Sequence, residues 1–229
     1  MQTKNLAAGV IPCGPLKLVD ARKKYRSLVD LIENLGAPYR CEQFASLIDD
    51  LTALGYFTAP ASHKYHLAYR GGLLIHHVTV ASVLLQLKRL LYPSISDESC
   101  VITGLLHDVG KLGTRNRPYY KSRTPGFDDP YTKQEMGANA PVYMGVAMRS
   151  LAIVSSKINL STWESQAILY HDGQYISDNQ SVRLKESPLT LLLHHADMWS
   201  AFQIEQKYPI PDEPFTEVGS DCNRGELSK

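Results

Sequence analysis

The chain has little cysteine and none of it is paired. Cys13, Cys41, Cys100 and Cys222 lie far apart and form no C-x-x-C element. That argues against a zinc knuckle and a disulfide framework, and leaves reduced, mostly structural thiols in a cytoplasmic protein as the expectation. Excess charge is missing too: 24 Lys and Arg stand against 23 Asp and Glu, a formal net charge of +1. Any nucleic-acid contact must then be a local patch, not a basic surface. No uninterrupted apolar run reaches membrane-spanning length, so no membrane association is expected. Residues 6–11 faintly imitate a signal peptide, but Pro12, Pro15 and the charged residues 20–24 break it early. Internal repeats are absent, and no histidine occurs between His107 and His171.

What is present is helical periodicity. A chain of 229 residues, 44% hydrophobic and 21% charged, suffices for one soluble domain with a real core. The spacing of apolar residues predicts helices over 19–35 (stopping at Gly36), 41–54 (stopping at Gly55), 73–91, 96–110 and 140–158. Ser161-Thr162-Trp163-Glu164 has capping-box spacing and opens a helix that ends near His171. Ser187-Pro188 opens the last long helix as N-cap and first-turn residue. Residues 56–72 read as a loop, and 174–184 as a short hairpin. Residues 113–133 are polar with three prolines, a functional lid or a poorly ordered connection. The expected fold is therefore all-α. An irregular lead-in covers 1–16, one domain 17–208, and a flexible tail rich in Pro, Asp, Glu and Gly 209–229.

Polar residues interrupt three apolar stretches. Leu105-Leu106-His107-Asp108-Val109-Gly110-Lys111 sets an imidazole beside a carboxylate inside a hydrophobic run. Burying both is costly unless something compensates, and a divalent cation compensates both. On a continuous helix, His107 and Asp108 would be about 100° apart and Lys111 would share the face of His107. The alternative is a buried Asp108–Lys111 ion pair, which leaves the other clusters without explanation. Asp197 is the only charge on the stripe Leu189, Leu193, Asp197, Ala201, Ile204. His76 shares a stripe with Val80, Val83, Leu84 and Leu87, and its neighbour His77 competes for the same reading. His171 is equally a helix-end cation or a site residue. His194 and His195 flank Asp197, and at least one of them reads as structural. His63, His66, Tyr65 and Arg70 line the mouth of a site or are plain loop residues.

These residues resemble the HD superfamily of metal-dependent phosphohydrolases. Gly71-Gly72-Leu73-Leu74-Ile75-His76 is similar to its first-His segment, Leu105 through Lys111 to its His-Asp signature, and His195-Ala196-Asp197 to its closing Asp. The likeness spans roughly residues 60–205. It implies an all-helical bundle with His76, His107, Asp108 and Asp197 as metal ligands. It also implies catalytic roles for Asp108, Lys111 and His171. Because no histidine separates His107 from His171, one divalent transition metal is expected. The implied ligand set suits Mn, Fe, Zn, Co or Ni better than Ca. Lys111 stands where the single-metal nucleotidases of the family carry a proton-transferring Glu; as a cation it is assigned to phosphate instead. The implied substrate is a nucleotide or other phosphate ester, bound by Lys111, Arg115, Arg117, His66 and Arg70, with Tyr119 and Tyr120 available to stack on a base. Two other readings stay open. One is a nuclease or relaxase-like phosphodiesterase acting on single-stranded nucleic acid, since residues 60–66 resemble HD exoribonucleases and conjugative relaxases. The other is a non-catalytic nucleotide-sensing module. The state of oligomerisation is left open.

Overall fold

A computed structural model of the chain describes residues 14–114, 117–122, 131–133 and 144–205. The fold is all-α, as expected. Most of the lead-in and all of the tail fall outside the described residues; 14–16 carry no helix.

The central element is α3 (Gly72–Leu91), buried on every side from Gly72 to Leu85. Its residues are apolar all round, which marks the middle of a core rather than a surface helix. By length and composition alone α3 is long enough to cross a membrane, although no single unbroken apolar run shows it. Its burial within the protein accounts for that apolar character. Helices α1 (Leu18–Leu35), α4 (Asp97–Leu106) and α7 (Pro188–Trp199) pack around it. The α3–α4 crossing is close: a Cβ at Gly104 would lie 2.6 Å from the Cα of Ala81, so only glycine lets the two backbones approach.

Helix α2 (Pro38–Ala53) begins three residues before the predicted 41, because Pro38 at its first turn has a preset φ and no N–H to leave unsatisfied. Helix α6 (Thr162–Tyr170) has the full capping box: Ser161 Oγ accepts the Glu164 N–H at 3.2 Å, and Glu164 Oε2 accepts the Ser161 N–H at 2.7 Å. Arg40 of α2 bonds Glu164 at 2.9 Å and Glu98 of α4 at 3.3 Å, tying three helices together.

Four expectations need correction. Helix α4 stops at Leu106 and does not run to Gly110. Asp108 (φ −114°, ψ 15°) leaves the helix, and Val109–Leu112 form a tight 3-10 turn. The cause is tertiary: Ser150 Oγ accepts the Gly110 N–H at 2.9 Å, and Arg149 donates to the Gly110 carbonyl at 2.8 Å. Helix α5 (Val146–Ser155), which carries both residues, thus replaces the intrahelical ladder. Second, α5 is shorter than the predicted 140–158; Gly145 precedes it in an extended-like conformation, and 140–143 lie outside the described residues. Third, the polar segment after Leu112 is not without structure. It contains antiparallel ladders of two and three residues, β1 (Gly113–Thr114) with β2 (Arg117–Pro118) and β3 (Tyr120–Ser122) with β4 (Tyr131–Lys133). They are too short to form a sheet layer. Fourth, the predicted hairpin at 174–184 is a pair of 3-10 turns, Gly173–Tyr175 and Ser177–Val182. There Asn179 donates its side-chain amide to the Gly173 carbonyl at 2.7 Å, a local bond that competes with strand pairing.

Past Trp199, α7 passes into one π-helical turn, Ser200–Ile204, and Glu205 follows it.

Candidate metal centre

Two imidazoles are set by the same local device. His107 closes α4 and His171 closes α6. Each turns its Nδ1 back onto the carbonyl three residues earlier, Gly104 at 3.0 Å and Ile168 at 2.9 Å. Helix C-termini leave such carbonyls unpaired. A carbonyl can only accept, so each Nδ1 carries a hydrogen and Nε2 is the nitrogen left to face inward. His76 lies in the first turns of α3, and its Nδ1 meets a carboxylate, Glu205 Oε2, at 2.9 Å. All three rings therefore have an oriented Nδ1 and present Nε2 to one place, the arrangement that prepares histidine for a metal.

At that place His76 Nε2 lies 3.1 Å from Asp197 Oδ1, 3.3 Å from His107 Nε2 and 3.9 Å from Asp108 Oδ2. His107 Nε2 is 3.8 Å from Asp108 Oδ2 and 3.9 Å from Asp197 Oδ1. Ligand atoms about 2.1 Å from one ion are separated by about 3.0 Å when adjacent and about 4.2 Å when opposed. The observed separations fall inside that window. His76, His107 and Asp108 could hold a metal ion, and so could the adjoining set His107, His171 and Asp197.

The electrostatics are those of a buried charge cluster. Burial opposes a charge on His76, yet Glu205 and Asp197 outweigh it and push its pKa up to about 10. Burial likewise opposes a charge on His171, but Asp108 and Asp172 bring it to about 9. His107, where burial dominates, falls to about 3. Burial would raise the carboxyl pKa values of both aspartates, but Lys111 and His171 hold Asp108 well below the usual range, and His76 holds Asp197 down. The two aspartates and the cationic groups Lys111, His76 and His171 thus stabilise each other's charged forms. Metal binding must displace at least the proton on His76.

Lys111 donates to Asp108 Oδ2. The buried ion pair weighed from the sequence is therefore present, and it coexists with the histidine cluster. Lys111 reaches Asp108 through the 3-10 turn, not across a shared helical face with His107. His171 Nε2 approaches the other Asp108 oxygen, at 3.5 Å.

A cavity of about 830 Å³ opens beside these residues, lined by Asp108, Lys111, His63, His66, Tyr120 and Arg149 among others. Its size is that of a small-molecule site. Arg70 is exposed and absent from its wall. Arg115 lies outside the described residues, while Arg117 pairs with Thr114 in the first short ladder. His77 turns to Tyr56, whose hydroxyl lies 3.2 Å from its Nδ1, and is a core residue. His194 bonds the His171 carbonyl at 2.7 Å, and His195 is exposed. A smaller cavity of about 360 Å³ lies over His194 and His195 and touches none of His76, His107, Asp108 and Asp197.

Sequence reasoning missed Glu205. Its side chain is fully buried and it is the partner that orients His76. On a regular helix it would sit about 80° round from Asp197; the π turn adds about one residue and brings it back to the same stripe. The available signal was Ile204, already placed on that stripe, with an acidic neighbour. Comparison with protein families, with curated proteins and with solved structures finds no match to this chain.

Proposed function

We propose that this chain is a metal-dependent phosphohydrolase of HD type. In this reading His76, His107, Asp108 and Asp197 hold one divalent transition ion, and the substrate is a nucleotide or other small phosphate ester. The carrying observation is the convergence of oriented Nε2 atoms and two carboxylates at the edge of a cavity that also contains a lysine. When bound, such an ion supplies Lewis acidity toward a phosphoryl oxygen and lowers the pKa of a water.

The protein's own groups divide the remaining work. Lys111 borders the cavity and neutralises charge developing on phosphoryl oxygens. Asp108 anchors both Lys111 and His171, so it fixes their separation. His171, whose pKa the neighbouring Asp108 and Asp172 raise to about 9, is the group assigned to protonate the leaving oxygen rather than to remove a proton from water. The His63 and Tyr120 rings stack with centroids 6.4 Å apart, and Arg149 covers the Tyr119 ring at 5.1 Å, giving a flat wall for a base.

A phosphodiesterase acting on single-stranded nucleic acid is the second reading. It is favoured by the exposed Tyr65, with Lys64 5.0 Å from its ring centre, beside the same cavity. Such basic–aromatic edges suit an unpaired strand. The deciding test supplies the purified protein with Mn, Co, Ni or Zn. Nucleoside mono- and triphosphates, cyclic dinucleotides and short single strands are then offered, and release of phosphate or nucleoside is followed. Turnover of the monomeric esters alone supports the first reading, and turnover of strands alone the second. No metal-dependent turnover of any of them counts against both.

A further inference from the structure

The Nδ1 side of His76 is also polar. Glu205 Oε2 accepts the His76 Nδ1–H at 2.9 Å, but its second oxygen, Oε1, is buried with no hydrogen-bond partner. The Glu205 side chain has no solvent exposure at all. His66 Nε2 is likewise buried without a partner and points at the same carboxylate, 3.9 Å from Oε2. That distance is too long for a hydrogen bond. It falls within the span of two ligands on one ion, about 3.0–4.2 Å for bonds of about 2.1 Å. The ligand atoms of His66 and Glu205 lie within 4.8 Å of each other.

An imidazole nitrogen and a carboxylate oxygen, both buried without partners and carried by side chains that approach to 3.9 Å, are uncommon in a folded protein, where buried polar groups find partners. Nothing else among the described residues satisfies them. The turn that carries His66 is fixed: Ser62 Oγ donates to the His66 carbonyl at 2.8 Å, and the Ala61 N–H donates to the Leu67 carbonyl at 3.2 Å. Leu67 takes φ 46°, a left-handed conformation that a leucine rarely adopts. His66 also borders the large cavity, which gives an ion a route in and leaves its remaining positions to water.

We infer that His66 Nε2 and the Glu205 carboxylate form a second cation site, separate from the first, which takes one divalent transition ion. An imidazole with a carboxylate suits Zn, Mn, Co or Ni rather than Mg or Ca. With only two protein side chains it is the weaker of the two sites. His76 keeps its Nδ1–H on Oε2 and is not a ligand here, so Glu205 links the two centres. The site stands whether or not the first one hydrolyses a phosphate ester.

The test is calorimetric titration of the full-length protein, stripped with chelator, with Zn²⁺. Two events are expected, one tight and one weaker. His66→Ala should lose the weaker event and keep the tight one; Asp108→Asn should do the reverse. Because His66 sits on a partly exposed turn, an unchanged thermal midpoint for His66→Ala shows that its effect is local. A single event in the native protein, removed by Asp108→Asn, overturns the second site and leaves the first standing. Two events that both survive His66→Ala put the second ion elsewhere and also overturn it. No event at all overturns both centres.

Discussion

Replacing Lys111 with methionine distinguishes an ammonium group that serves a substrate from one that only props up Asp108. In the metal-free protein Lys111 and Asp108 form a nearly buried pair, with side-chain exposures of 16% and 6%. The next cationic partner of that carboxylate is His171 Nε2, at 3.5 Å. Removing one member of a buried pair costs about 3–5 kcal/mol. For a chain of this size that lowers the thermal midpoint by about 6–20 °C, at about 2–4 °C per kcal/mol. A bound ion would compensate Asp108 directly, so the metal-loaded variant should lose much less. Linkage then requires the variant to bind the ion more tightly than the native protein, tenfold for each gap of about 1.4 kcal/mol between the two losses. The assay is thermal denaturation in chelator and in saturating Mn or Zn, with a competition titration for affinity. Destabilisation in saturating metal as large as that in chelator with unchanged metal affinity, or larger with weaker metal binding, would refute the reasoning and make Lys111 a structural partner of the centre.

Other outcomes follow from the same geometry. Asp108→Ala should abolish turnover and weaken the tight metal site, since Asp108 is both a proposed ligand and the anchor of Lys111 and His171; metal-dependent turnover at the native rate would remove it from the mechanism. Neutralising Arg115 and Arg117 together should raise KM for a phosphorylated substrate with little change in thermal midpoint, and unaltered kinetics would mean that the polar segment takes no part in binding. The metal-free protein should be most stable near pH 6.5. Below that, His107 and His66, both at about 3 when folded, take up protons in the unfolded state first, so stability falls with pH. Above it, the stabilisation from charged His76 and His171 is lost as pH rises through about 9 and about 10. A denaturation series in chelator from pH 4 to about 10 reads both limbs, and a flat profile above neutrality would contradict the charged pair.

Much of the site was legible because burial makes polar residues conspicuous. His76, His107, Asp108 and Asp197 each interrupt an apolar stretch, and the structure brings all four together. The helices were legible for the same reason, and Ser161 and Ser187 marked their starts. What was not legible came from long-range partners. The end of α4 depends on Ser150 and Arg149, some forty residues away in sequence, which capture the backbone of Gly110. Periodicity within the segment contains no trace of that. Glu205 was hidden by the π turn, because a reading at 100° per residue puts it off the Asp197 stripe. The turns at 173–182 reflect side chain-to-backbone bonds that alternation patterns do not encode.

The most direct measurement is a crystal structure of the manganese-loaded protein with anomalous scattering collected at the metal edge. An ion bound about 2.0–2.2 Å from Nε2 of His76 and His107, and from carboxylate oxygens of Asp108 and Asp197, is the result expected. An anomalous peak confined to other residues, or none at saturating metal, would contradict the assignment.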